Sequence, residues 1–287
     1  MGTCHLCGQK AGVFRSEHSE CRQRVQLGLT EMRTLTTRAA TTGLGHENLV
    51  ARLGTAAEAN RISTQEIRLS LIEGWQAALQ TALDSAGLSE EEDKRLAEYA
   101  KRFCLSQDDL SANRGWEHFV QGRVLRRIVS GQFPSDITVK LDGNFPVILQ
   151  KSERLIWAFG GAEYYKEIVR REWEGSSTGY SMRVAKGFYI RQSAFKGRPI
   201  ERREMALRDR GIVIVTDKNL YFSGPSVSFR VPYRKIVAVR PYSDGVGIHR
   251  DLASAKAEAF FVQDGWFISN LLQNLATEPD LVDAAVV

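Results

Sequence analysis

Three of the four cysteines in this 287-residue chain fall within its first 21 residues, in the pattern Cys4-x2-Cys7-x10-His18-x2-Cys21. A Cys-x-x-Cys turn can aim both sulfurs at one point, and His18 and Cys21 can do the same from the start of a helix. Donors of types Cys3His satisfy a tetrahedral Zn2+ and leave no position open for water, so the expected role is structural. So short a segment builds no apolar core, and the ion is expected to supply its folding energy. His5, inside the first pair, reads as a bystander. Redox use of Cys4 and Cys7 would want a preceding strand and a βαβ context, and disulfides are disfavoured in a reducing cytosol. Gly8 and Gly12 flank a short polar link that suits a hairpin. After Cys21, the spacing of Val25, Leu29 and Met32 predicts a helix.

Knuckle, hairpin and ligand-bearing helix together resemble a treble-clef or zinc-ribbon unit, which would place a zinc-binding module with its following helix at residues 1–40. Residues 45–135 read as a helical bundle. Ser63-x-x-Glu66 is a capping box ahead of Ile67, Leu71, Trp75, Leu79 and Leu83, a stripe that faces a core. Ser89-x-x-Glu92 opens a second helix with Leu96, Tyr99 and Phe103, and Ser106-x-x-Asp109 a third. Trp116, Phe119, Val120, Val124 and Ile128 make a fourth, stopped near Gly131 and Pro134. Cys104, next to Phe103, is expected to be a buried small hydrophobe. The segment from Asp84 looks like a calcium loop, but Ala86 and Leu88 stand where oxygen ligands are needed, so calcium is rejected. The run GLSEEE resembles the loop of bacterial TerB-like helical domains. Such domains often bind metal through acidic clusters, and no such cluster stands here to carry over.

From about residue 137 the periodicity changes from helical to alternating. Ile212–Thr216 and Leu220–Phe222 flank the turn Asp217-Lys218-Asn219. Further strands are predicted around Val227–Val231, Ile236–Val239, Val246–Ile248 and Ala259–Val262. Asp264 can cap a last helix carrying Trp266, Phe267, Leu271, Leu272 and Leu275. The segments TDKNLYFSG, SFRVPYRKIVAVRPYSDGVGIHRD and FFVQDGWFISNLL resemble a bacterial PH-like or GRAM-like domain, over roughly residues 150–277, with 278–287 as a tail. The upstream GYSMRVAKGFYIRQSAFKGRPIE fits the first strands of that pattern. The resemblance implies a seven-stranded barrel capped by the C-terminal helix, and hence an α+β multidomain chain. It also implies binding of lipids, proteins or peptides rather than catalysis.

Charge is unevenly placed. Residues 151–250 carry 20 Lys+Arg against 10 Asp+Glu, while the whole chain has a net charge of +5. The candidate binding residues are Arg183, Lys186, Arg191, Lys196, Arg198, Arg202 and Arg203, interleaved with Phe188, Tyr189 and Phe195. One reading is a face that meets anionic membrane lipid, each cation near such a surface adding about 1 kcal/mol. Another is that these cations are the wet side of strands whose other side is core. A protein subunit is the alternative partner, and nucleic acid a third. No nucleophile elbow, Walker loop, zinc-protease helix or dinucleotide fingerprint is present, and Glu153, Glu163, Glu167 and Glu172, read as a strand-to-helix region, form no convincing acid pair. His118 and His249 have no evident nucleophile partner. No apolar run reaches the roughly 18 residues of a membrane span, and MGTCHLCGQK is no signal sequence. The expectation is a non-catalytic cytoplasmic adaptor or sensor, peripheral at the inner face of the membrane if it binds lipid. Combinations of TerB-like and PH-like domains resemble parts of bacterial stress or phage-defence systems.

Overall fold

The computed structural model describes residues 2–12, 16–43, 46–85, 87–132, 147–185, 188–252 and 255–277, without the side chains of 46–47, 85 and 171–201. It divides into two units, Met1–Gln132 and Phe133–Val287.

The first unit opens with two short antiparallel strands, β1 (Gly2–Thr3) and β2 (Lys10–Gly12). Six helices follow: α1 (Ser19–Thr42), α2 (His46–Asn60), α3 (Thr64–Ser85), α4 (Glu90–Arg102), α5 (Gln107–Leu110) and α6 (Gly115–Val129). The polar signals at their starts work as capping boxes. Ser89 and Ser106 each accept the N–H three residues on, and Glu92 and Asp109 reach back to the capping residue. Ser63 and Glu66 exchange the same pair of bonds before α3. Such caps satisfy donors that the first helical turn leaves without partners. Apolar stripes then bring Met32, Leu53, Trp75, Leu79, Leu96, Tyr99 and Phe119 into one buried cluster. The polar ends of its aromatics are matched, Trp75 Nε1 donating to the Leu96 carbonyl at 3.0 Å and the Tyr99 hydroxyl to the Leu71 carbonyl at 3.3 Å. Helices α1 and α3 cross closely at Gly74, where a Cβ would stand 2.6 Å from the Thr36 side chain.

Cys104 differs from expectation, for it is exposed. Its φ of +51° reverses the chain just after α4. Phe103 packs against the core on one side and Leu105 on the other. The turn therefore directs the cysteine outward.

The described residues of the second unit form a seven-stranded antiparallel sheet, a short 3-10 turn at Tyr233–Lys235 and one α-helix. Its strands are β3 (Leu155–Ala185), β4 (Phe188–Thr216), β5 (Asn219–Ser223), β6 (Ser228–Pro232), β7 (Ile236–Pro241), β8 (Gly245–Arg250) and β9 (Glu258–Phe261), in the order β6-β5-β4-β3-β9-β8-β7. The sheet curls into a half-barrel in which β6 and β7 are the edges. Helix α7 (Gly265–Thr277) begins where Asp264 Oδ1 accepts the Phe267 N–H at 3.1 Å, and it buries Phe267, Ile268, Leu271, Leu272 and Leu275. Phe267 meets Trp157 with ring centroids 4.9 Å apart and Phe159 at 5.9 Å. A second aromatic cluster gathers Tyr164, Phe222, Phe229 and Phe260. The Arg250 guanidinium lies over the Phe229 ring at 5.0 Å, linking β8 to β6.

Two buried carboxylates fix the sheet. Glu153 accepts from Thr216 Oγ1 at 2.5 Å, the Tyr221 hydroxyl at 2.7 Å, the Gln150 N–H at 2.7 Å and Asn219 Nδ2 at 2.8 Å. Burial opposes its ionisation, yet those donors hold its carboxyl below the usual range. Glu258 accepts the Tyr164 hydroxyl at 2.5 Å and faces Arg250 Nε at 2.5 Å and Lys166 Nζ at 3.4 Å. Glu163, Glu167 and Glu172 all lie on β3, so the strand-to-helix reading of that region is replaced by strand.

Strands β3 and β4 are far longer than the rest, at 31 and 29 residues. The sheet supports only part of them. Strand β9 pairs with β3 at Glu163–Lys166, and β5 pairs with β4 at Ile212–Val215. Beyond Glu167, whose N–H donates to the Ala257 carbonyl at 2.8 Å, the described residues of β3 and β4 pair with each other alone, as far as Ala185 and Phe188. At about 3.3 Å per residue this two-stranded ribbon runs roughly 60 Å. The segment 179–201 was expected to form the first strands of a barrel. Its described residues form the outer part of the ribbon instead, while 155–166 and 206–216 supply the corresponding strands of the sheet. Among the described residues, no helix is long and apolar enough to cross a membrane.

Candidate functional site

The first site is built where a hairpin meets a helix. The Cys4 N–H donates to the Gln9 carbonyl at 2.7 Å and the Gly8 N–H to the Cys4 carbonyl at 2.7 Å, closing a knuckle around Cys4 and Cys7. Gly8 holds φ at +71°, a left-handed conformation that favours glycine. His18 sits at the N-cap of α1 in extended conformation, and Cys21 follows in the first turn. Arg61 Nη1 donates to the Leu6 carbonyl at 2.6 Å and ties the knuckle to the end of α2.

All four expected ligands are brought together. Donor atoms of Cys4, Cys7, His18 and Cys21 lie within 4.8 Å of one another. His18 Nδ1 stands 3.3 Å from Cys7 Sγ and 3.7 Å from Cys21 Sγ. In a tetrahedral site with Zn–S near 2.3 Å and Zn–N near 2.0 Å, a sulfur and a nitrogen are about 3.5 Å apart. The cluster thus has the size and donor set to hold a metal ion. His18 Nε2 donates to the Lys10 carbonyl at 3.1 Å, which assigns the ring proton to Nε2 and leaves the Nδ1 lone pair facing the thiols. His5 stays out of the donor set. Its Nδ1 lies 2.9 Å from the Ser16 carbonyl.

The thiols differ in acidity. Burial opposes ionisation of Cys4, but N–H groups of His18, Cys7 and Leu6 directed at its sulfur bring the thiol down to about 6. Burial, followed by the neighbouring sulfurs of Cys7 and Cys4, pushes Cys21 up to about 11. The cluster favours a first thiolate and penalises a later one, and a bound cation removes that penalty.

The basic residues are placed less compactly. By backbone register Arg183 pairs with Tyr189, Arg191 with Ser181, Lys196 with Ser176, Arg198 with Glu174, Arg202 with Arg170 and Arg203 with Val169. Lys186 lies outside the described residues. Arg202 and Arg203 are exposed near the inner part of the ribbon. There Arg203 Nη1 lies 3.6 Å from Glu167, and Arg170 Nε 2.6 Å from Glu204. The six described cations are therefore strung along an arm, and those nearest the sheet stand among carboxylates. Sequence reasoning located the donors but missed the Lys10 carbonyl and the Arg61 tie, which act through main-chain atoms and leave no side-chain signature.

Compared with known proteins, the chain matches no family model, no curated protein and no solved structure.

Proposed function

We propose that the protein is a non-catalytic adaptor or sensor. In this reading Zn2+ holds the N-terminal module as a structural ion, and a PH-like half-barrel carries a basic hairpin arm to an anionic partner. The partner is anionic membrane lipid at the inner face of the membrane or an acidic protein subunit. A zinc ion suits three sulfurs and one imidazole nitrogen better than the oxygen-seeking ions do. The strand order, with the first strand beside the last and α7 against the core, supports the PH-like reading.

One observation carries the binding proposal. The sequence 175–200, whose described residues form the outer part of the arm, contains Arg183, Lys186, Arg191, Lys196 and Arg198 and no Asp or Glu. Closer to the sheet, cations and carboxylates alternate and pair. A stretch of sequence whose charges are all of one sign is suited to a negatively charged surface.

Flotation with liposomes across a salt series tests this. Selective flotation with anionic vesicles, weakened by salt and by the triple change Arg191→Glu, Lys196→Glu and Arg198→Glu, is the expected result. Flotation that ignores those changes removes the arm from the account. No flotation with any vesicle leaves the protein-partner reading, tested by co-purification. The ribbon form also favours a second reading, since a two-stranded ribbon can enter the major groove of duplex DNA. A gel shift that falls steeply with salt would identify that case.

A further inference from the structure

The helical unit contains a cavity independent of the four-donor cluster and of the arm. It has a volume of about 290 Å3 and opens among α3, α4, α5 and α6. This is near the lower end of the roughly 300–1,000 Å3 usual for small-molecule pockets. Trp75, Trp116, Phe119 and Leu110 give it aromatic and aliphatic walls. Its charged groups are Asp93 and Arg123.

The charges do not balance. Asp93 is 8% exposed and accepts Arg126 Nη2 at 2.6 Å. Arg126 Nη1 donates to the Ser89 carbonyl at 3.1 Å, so this guanidinium is committed to the start of α4. Arg123 also approaches Asp93, with Nε at 3.2 Å, yet that buried Nε makes no hydrogen bond. Its guanidinium lies 5.7 Å from the Phe119 ring centroid. Two guanidiniums share one carboxylate, and Arg123 is the one of them that lines the pocket. Ala97 and Ala100 also line the pocket, and of the two Ala97 is exposed to solvent.

We infer that this pocket binds a small aromatic monocarboxylate. The ring packs against the joint surface of Trp116 and Phe119, whose rings touch with centroids 5.6 Å apart, where apolar area is buried and aromatic faces can stack or meet edge to face. The carboxylate meets Arg123, where a charge-assisted hydrogen bond partly shielded from water is stronger than one in bulk solvent. The volume suits one or two fused rings and excludes a long acyl chain.

Calorimetric titration of the full chain with 2-naphthoate and its neutral counterpart 2-naphthamide tests the assignment. One 2-naphthoate per chain is expected, bound about tenfold tighter than the amide. Arg123→Gln is expected to bring acid and amide to equal affinity. Ala97 is exposed, so Ala97→Phe covers the opening at little cost to the fold and is expected to abolish binding with the unfolding temperature unchanged. Equal binding of the two compounds by the native chain, or binding of neither, overturns the inference. So does an acid preference that survives Arg123→Gln, or binding that survives Ala97→Phe in a folded protein.

Discussion

The N-terminal hairpin and the half-barrel both order short antiparallel strands, and they do so with different resources. Strands β1 and β2 are two and three residues long, and their ladder covers a buried cysteine rather than an apolar face. Strand β5 is also short, at five residues, but its Leu220 and Phe222 are fully buried in a core shared with α7 and five other buried aromatic or aliphatic positions on β4 and β8: Val213, Ile214, Val215, Val246 and Ile248. Where side chains can supply a core, strands need nothing else. Where they cannot, four converging donors mark a place where a metal ion could supply the missing stability. The outer arm has neither resource, being two strands without a third, and such ribbons are marginal in water on their own. The arm therefore lies outside the core that stabilises the half-barrel, and its proposed role is recognition.

The largest effect separates these regions by metal dependence. Chelation, or Cys21→Ser, is expected to release residues 2–21 to rapid hydrogen exchange while α7 and β4–β5 stay protected, since structural zinc in small modules is worth about 10–16 kcal/mol. Equal loss of protection in both units would break the comparison. Next in size, Phe267→Ala is expected to cost the half-barrel about 3–5 kcal/mol in urea unfolding without changing bound metal. Glu153→Gln follows. Its amide would turn an N–H toward one of the donors now received from Thr216, Asn219, Tyr221 and Gln150, a loss of about 1–3 kcal/mol.

The smallest effect concerns pH in the helical unit. Bonds from the Ser106 hydroxyl, Arg68 and the Ser106 N–H hold Asp109 down to about 2. A carboxyl with a lowered folded-state value contributes stability that is complete above its unfolded value near pH 4 and fades as pH falls toward 2. Asp109→Asn is expected to flatten the dependence of the unfolding temperature on pH in that window, with little change in slope above it.

Much of this architecture was legible in the sequence where local chemistry decides it. The boxes at Ser63, Ser89 and Ser106 announce helix starts, because a side chain and a backbone N–H three residues apart must meet there. Asp264 announces α7 in the same way. The metal donors were legible through spacing alone. The arm was not. An alternating pattern arises only when one face of a strand is buried, and the outer parts of β3 and β4 have no sheet neighbour beyond each other to impose it. The outward turn of Cys104 was hidden for a related reason, since it depends on a left-handed residue that its apolar neighbours do not reveal. The pocket beside Arg123 lay beyond reach as well, because it joins residues from helices distant in sequence.

The most direct test of the account is elemental analysis of the full chain purified without added metal, beside Cys4→Ser. The account predicts about one zinc per native chain and its loss in the variant. Less than about half an equivalent, alike in both proteins, would contradict it.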